Sequence, residues 1–187
     1  MRIIGGSFRG TSLASVGKGD TAAHLRPTTD RVRESLFNLL AHGDYPPLDG
    51  ARVLDLFAGT GALGFEALSR GAANVMFVDD GAKAQALIRE NTDKLRAAEN
   101  CALYRRNATK LGENRVDPFD VIFLDPPYGK GLGERALSSA FAGGWIADQA
   151  LIIWEEGGDV QARPELSLLD KRKYGDSVIH LFKATTS

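Results

Sequence analysis

Asp55-Leu56-Phe57-Ala58-Gly59-Thr60-Gly61-Ala62-Leu63-Gly64 is the stretch on which the fold turns. It grows out of a near-continuous apolar run, Ala51–Phe57, and opens a short helical stretch, Gly61–Ser69. An apolar run, a glycine turn and a helix in succession read as a strand buried on both faces, feeding a helix that covers the sheet. The glycines match G-x-G-x-x-G. Gly59 and Gly61 let the backbone turn tightly and admit a ligand where a Cβ would stand. The helix after them offers unpaired N–H groups to an anionic or polar ligand. Asp79 stands 20 residues after Gly59, at the end of the next apolar segment, Asn74–Val78. There an acid can accept hydrogen bonds from both hydroxyls of a ribose. A dinucleotide site shows the same pattern, and Asp55 separates the two ligand classes. Its carboxylate repels a pyrophosphate and attracts an ammonium group. The loop is therefore expected to hold S-adenosylmethionine rather than NAD. Asp55 also suits capping of the loop backbone, and both roles can hold together.

Outward from this loop, strand and helix patterns alternate. Helical stretches are predicted at Gly81–Ala98 and Gly133–Phe141, with apolar strands at Cys101–Tyr104, Phe119–Leu124 and Ala150–Trp154. Two closing strands, near 168–174 and 177–183, pair around Gly175-Asp176, a hairpin signal. This predicts an α/β fold with a mostly parallel sheet, helices on both faces and an antiparallel strand added by the hairpin. Before it, Met1–Ile4 and Thr11–Leu13 form candidate hairpin strands around Gly5-Gly6 and Gly10, and Ala14–Ala23 reads as a loop. Residues 1–26 are taken as an N-terminal β-hairpin extension and 27–187 as the main domain. Pro27 precedes a helix capped by Thr29 or Asp30, with Val32, Leu36, Leu39 and Leu40 as its apolar face. Gly43 and Pro46-Pro47 end it.

The second chemical motif follows the Phe119–Leu124 strand: Asp125-Pro126-Pro127-Tyr128. In an open α/β sheet the strand carboxyl ends carry the site. The two prolines fix φ and leave no N–H, so the turn is rigid. An exocyclic amine on a base is a poor nucleophile because its lone pair is delocalised into the ring. Acceptors aimed at its N–H bonds, here the Asp125 carboxylate and the Pro126 carbonyl, hold the nitrogen nearer tetrahedral. Tyr128 offers a face to an extruded base, and such stacking contributes about 1–3 kcal/mol. Asp125, Pro126, Pro127 and Tyr128 are the expected catalytic set.

Composition constrains partners. Lys and Arg total 23 against 24 Asp and Glu, so no global basic signature marks a nucleic-acid binder and a local patch is required. Arg2, Arg9, Lys18, Arg26, Arg31 and Arg33 face only Asp20, Asp30 and Glu34 in the first 40 residues. A single cysteine, Cys101, excludes a disulfide framework within the chain and a cysteine-based zinc site, and no metal is expected. No signal-peptide pattern and no apolar run near the roughly 20 residues of a membrane span are present, so a cytoplasmic protein without membrane contact is expected.

Arg26-Pro27-Thr28-Thr29-Asp30-Arg31-Val32-Arg33-Glu34-Ser35-Leu36-Phe37-Asn38 resembles the signature helix of the RsmD family. So do Arg2-Ile3-Ile4-Gly5-Gly6, Arg9-Gly10, Asp55 to Gly71, Asp125–Tyr128 and Tyr174-Gly175. The resemblance implies a Rossmann-like class I methyltransferase with a seven-stranded sheet. It implies methylation of the N2 amino group of a guanine in 16S rRNA, at position 966, within the small (30S) subunit. The product of the cofactor is S-adenosylhomocysteine, and a monomer is expected. Carried over by motif, Asp55, Ala58, Gly59, Thr60, Gly61 and Asp79 meet the cofactor, with Asn107 and Ala108 near its adenine. Asp79 stands where the family pattern has Glu, which shortens its reach. Asn107 stands where many methyltransferases have Asp, and its amide oxygen is expected to accept from the adenine amino group. Arg2, Arg9, Arg26, Arg31 and Arg33 become candidate RNA contacts, the competing reading being that Arg31 or Arg33 pairs with Asp30 or Glu34. Lys171, Arg172 and Lys173 are either a second phosphate contact or a solvated turn. A DNA adenine-N6 methyltransferase shares Asp-Pro-Pro-Tyr, but no DNA-reading domain is evident. An NAD-dependent oxidoreductase and a non-catalytic RNA-binding module fit less well, for want of a hydride-transfer site and because Asp125 and Tyr128 are intact.

Overall fold

A computed structural model describes residues 1–16, 29–161 and 163–186. Arg26, Pro27 and most of the Ala14–Ala23 loop lie outside the described residues. The chain order is α1 (Asp30–His42), β1 (Arg52–Leu56), α2 (Ala62–Ser69), β2 (Asn74–Val78), α3 (Ala82–Lys94), β3 (Cys101–Tyr104), β4 (Phe119–Leu124), α4 (Leu132–Ala142), β5 (Ile146–Glu156), β6 (Leu166–Tyr174) and β7 (Ser177–Ala184). The strands form one seven-stranded sheet in the order β3-β2-β1-β4-β5-β7-β6. β1 to β5 run parallel, and β7 is antiparallel to both of its neighbours. The order reverses between β1 and β4, which opens a crevice beyond their carboxyl ends.

The period of two along each strand divides the core between the two faces. Val53, Phe77, Val121, Phe123 and Ile153 pack beneath α1, α2 and α3. Leu54, Leu56, Ile122, Leu124, Ile152 and Trp154 pack beneath α4 on the other side. β5 starts earlier and ends later than its apolar run; at its start a left-handed residue at Gln149 (φ 63°) and a register shift opposite Phe119/Val121 absorb Ala147, Asp148 and Gln149.

Thr29 caps α1, its hydroxyl accepting from Val32 N. The fully buried stripe of α1 is Arg33, Leu36, Phe37 and Leu40, while Val32 and Leu39 are only half-buried. The N-terminal hairpin is reduced to one antiparallel bridge, Arg2 to Ser12. Beyond it the chain turns onto α2. Ile4 N and Gly5 N donate to the buried Glu66 carboxylate, each at 2.9 Å, and Phe8 N donates to Ser69 Oγ. Ile3 and Leu13 enter the core beneath α1 to α3.

Candidate active site at the carboxyl ends of β1, β2 and β4

The glycine loop leaves β1 through three left-handed residues, Phe57 (φ 58°), Gly59 (φ 58°) and Gly61 (φ 79°). Glycine adopts this region freely; Phe57 does so at a cost, which concentrates strain at the rim of the crevice. Gly61 is the N-cap of α2 and supplies no side chain to the helix end. Asp55 supplies it instead: Oδ2 accepts from Gly64 N at 3.0 Å. Gly64 allows this approach, since a Cβ there would lie 2.4 Å from Phe77 and 3.0 Å from Asp55 Oδ2. Both sequence readings of Asp55 thus remain compatible, with one oxygen capping the helix.

Asp55 is 1% exposed. Burial pushes its carboxyl up to about 8; the Gly64 N–H works in the other direction, and the Asp79 charge adds to the rise. A carboxylate so placed is a waiting partner for a cation.

Asp79 ties the end of β2 to the loop. Its Oδ2 accepts from Gly59 N at 2.9 Å and its Oδ1 from Gly81 N at 2.8 Å. Burial raises its pKa, and the two N–H bonds and Asp80 act on it further. A carboxylate has about four lone-pair positions, so acceptor capacity remains for two hydroxyls. Ala58 N donates to Val78 O, and Thr60, buried, presents its carbonyl to Asn91. Asn107 starts the turn that follows β3. Its Oδ1 already accepts from Thr109 N at 2.9 Å and Thr109 Oγ1 at 2.6 Å, capping a 3₁₀ turn at Ala108–Lys110, and its Nδ2 donates to Asp80. The amide oxygen caps this turn, because a turn start needs an acceptor for its orphan N–H.

The register of β1 and β4, Leu56 to Leu124, sets Asp125 beside Phe57, two residues from Gly59. Asp125 N reaches Leu56 O at 3.5 Å. Pro126 is buried and Pro127 half-buried. Tyr128 is held at its far end: its hydroxyl donates to Glu155 Oε1 at 2.7 Å and lies 2.7 Å from Ser177 Oγ. Burial raises its pKa above the usual phenol range; the Ser177 contact lowers it, and the Glu155 and Asp125 charges raise it further. Glu156 Oε1 then accepts from Gly129 N at 3.0 Å and Gly157 N at 2.9 Å. Gly157 lies against the Tyr128 ring, where a Cβ would come within 3.0 Å of Cδ2.

Glu155 and Glu156 were not found from sequence, because the apolar run of β5 stops at Trp154. The available signal was a pair of acids at a buried strand's carboxyl end, ahead of Gly157-Gly158.

The arginines divide. Arg2, Arg9 and Arg31 are exposed. Arg33 is 0% exposed; its Nη2 donates to Asp30 Oδ1 at 2.6 Å and to the Arg2 carbonyl at 2.8 Å, and its Nη1 lies 3.9 Å from Glu66 Oε2. The expectation of an RNA contact at Arg33 is therefore corrected to the competing pairing with Asp30: a phosphate has no access to it. Arg172 pairs with Asp170 at 2.9 Å, Lys171 with Asp159, and Lys173 is exposed.

A doubly wound sheet of this order, with a glycine loop and an acidic strand end facing Asp-Pro-Pro-Tyr across the switch point, defines a class I methyltransferase. Residues 1–183 match the family model described as "Conserved hypothetical protein 95". The chain belongs to that family, the RsmD-like methyltransferases. It is 44% identical to the Ribosomal RNA small subunit methyltransferase D of Escherichia coli K12, over 83% of this chain and 74% of that one. The corresponding protein of Haemophilus influenzae is 37% identical, over 85% and 80%. A solved E. coli structure, the candidate methyltransferase yhhF, superposes with a TM-score of 0.83 at 36% identity, covering 100% of this chain and 99% of its own.

Proposed function

We propose that the protein transfers a methyl group from S-adenosylmethionine to the N2 amine of one guanine in 16S rRNA, at position 966, within the 30S subunit. The observation that carries this reading is the strand register that sets Asp125 beside the glycine loop. The names of the E. coli and H. influenzae relatives support a ribosomal RNA substrate.

The residues fit the cofactor. Asp55 is a buried acid with its pKa near 8, and the ammonium of a methionine moiety is the charge that would return it to the carboxylate. Asp79 retains acceptor capacity for the ribose hydroxyls. Ala58, Gly59, Thr60 and Gly61 form the loop beside Asp79 that is assigned to the cofactor, and Asn107 and Ala108 are assigned to its adenine side. Bound there, the cofactor supplies a methyl group on a sulfonium, electrophilic enough that no covalent enzyme intermediate is needed.

The work left to the chain is positioning. The Asp125 carboxylate and the Pro126 carbonyl accept the two N–H bonds of the amine and keep its lone pair out of conjugation. Tyr128 stacks on the extruded base. Asp125, or water beside it, would take the proton that the amine nitrogen loses on methylation. Arg2, Arg9 and Arg31 hold phosphates, and Arg26 is a further candidate from its motif alone.

The test is transfer of labelled methyl to unmodified 30S subunits, followed by nucleoside analysis. N2-methylguanosine is expected. N6-methyladenosine would assign the site to adenine chemistry instead, and no transfer would reject the reading.

A further inference from the structure

Asn91 lies within α3, in neither loop of the site, and is 0% exposed. A buried amide needs partners, since each unmet group costs about 1–3 kcal/mol. Asn91 finds them far along the chain. Its Oδ1 accepts from Ala14 N at 2.6 Å, and its Nδ2 donates to Ala14 O and to Thr60 O, both at 3.1 Å. One side chain thus joins the segment leaving the N-terminal hairpin to the middle of the glycine loop. A weaker contact repeats the link, with Thr60 Oγ1 3.9 Å from Met1 Sδ. The hairpin's other anchors, Glu66 and Ser69, belong to α2, the helix that begins at Gly61.

We propose that Asn91 is a positioning residue that couples cofactor occupancy of the glycine loop to RNA binding by the N-terminal segment. This rests on the reading above, in which the loop takes S-adenosylmethionine and Arg2, Arg9 and Arg31 meet RNA. The physical link is the whole amide, whose Oδ1 holds the Ala14 N–H while its Nδ2 holds Ala14 O and Thr60 O. The two Nδ2 hydrogens serve one carbonyl on each element, so neither element moves alone without leaving a buried donor unmet. A cofactor that orders Thr60 therefore orders Ala14. By linkage, RNA held at the N-terminal segment tightens the cofactor by the same factor. A purely structural tie weakens stability and both affinities but leaves their ratio with and without the other ligand unchanged.

The test measures affinity for unmethylated 30S subunits, with and without saturating S-adenosylhomocysteine, in wild type, Asn91→Ala and Ala14→Pro. The second variant removes the Ala14 N–H while leaving α3 intact, which covers a failure of Asn91→Ala to fold. S-adenosylhomocysteine is expected to tighten wild-type binding on the order of 5-fold, and the ratio to fall toward one in the variants. A wild-type ratio of one, or an undiminished ratio in a folded variant, overturns the role given to Asn91. Failure of the wild type to bind either probe overturns the reading beneath it as well, and so is told apart from a failure of the coupling alone.

Discussion

The two loops that meet in the crevice are built in opposite ways. The glycine loop is held by its own neighbourhood: Asp55 caps Gly64, Asp79 holds Gly59 and Gly61 N turns back to Ala58 O, all within one β-α-β unit. The Asp125–Tyr128 loop is held from a distance. Its tyrosine is fastened to Glu155 and Ser177, and its end to Glu156, which lie on β5 and β7. Apart from the Asn91 tie to the N-terminal segment, the cofactor side is thus held by one local unit, whereas acceptor positioning depends on the closing half of the sheet. Damage to the closing half is expected to reach the methyl acceptor without reaching the cofactor.

The largest effect that tests this division is at Asp125. Asp125→Ala removes the amine's acceptor, and kcat is expected to fall roughly 10²–10⁴-fold, the range for a positioned acid or base. Affinity for S-adenosylhomocysteine by calorimetry is expected to stay within a few-fold of wild type. A parallel loss of cofactor affinity would show that the loops are not independent.

Asp55 is the converse case. Asp55→Asn is expected to weaken S-adenosylhomocysteine about 10–100-fold, from the loss of about 1.5–3 kcal/mol in a charged hydrogen bond. Its pH dependence has a definite sign. In the unliganded protein Asp55 holds its proton up to about pH 8, so pairing with an ammonium releases a proton. Wild-type affinity is expected to rise with pH toward about 8 and then level, and Asp55→Asn to flatten that rise. Stability of the unliganded protein moves the other way. The folded pKa lies above the unfolded value of about 3.9, so the contribution is full below that value and is lost as pH rises through about 8. Denaturation at several pH values is expected to show this decline in wild type and not in Asp55→Asn.

The same division governs how much was legible in the sequence. The glycine loop, its strand and helix, and Asp79 declare themselves within residues 51–79, because local turn chemistry and strand periodicity determine them. Asp125–Tyr128 declares its chemistry but not its supports. Glu155, Glu156 and Ser177 become legible only when β5 and β7 are laid beside β4, and no local pattern encodes that. Arg33 is a different kind of miss. Arg33, Leu36, Phe37 and Leu40 stand at i, i+3, i+4 and i+7, the spacing of a buried helical face, but the arginine's charge drew the reading outward. What holds it inward is the Asp30 carboxylate and the Arg2 carbonyl, with the buried Glu66 carboxylate on another helix 3.9 Å from Nη1.

Tyr128→Phe gives the smallest and most discriminating effect. Phenylalanine keeps the stacking face and loses only the bonds to Glu155 and Ser177. kcat is expected to fall on the order of 5–10-fold, as for one or two hydrogen bonds of about 1 kcal/mol, with S-adenosylhomocysteine affinity unchanged. Tyr128→Ala is expected to lose a further 1–3 kcal/mol or so with the stack. Ser177→Ala, 49 residues from the tyrosine and at the start of β7, isolates the remote support. It is expected to reproduce part of the Tyr128→Phe loss, and the double variant Tyr128→Phe/Ser177→Ala to be no worse than Tyr128→Phe alone, since both changes break one contact. Additive losses, or an inert Ser177→Ala, would mean that the tyrosine is aimed by its prolines alone and that the closing hairpin has no part in presenting the base.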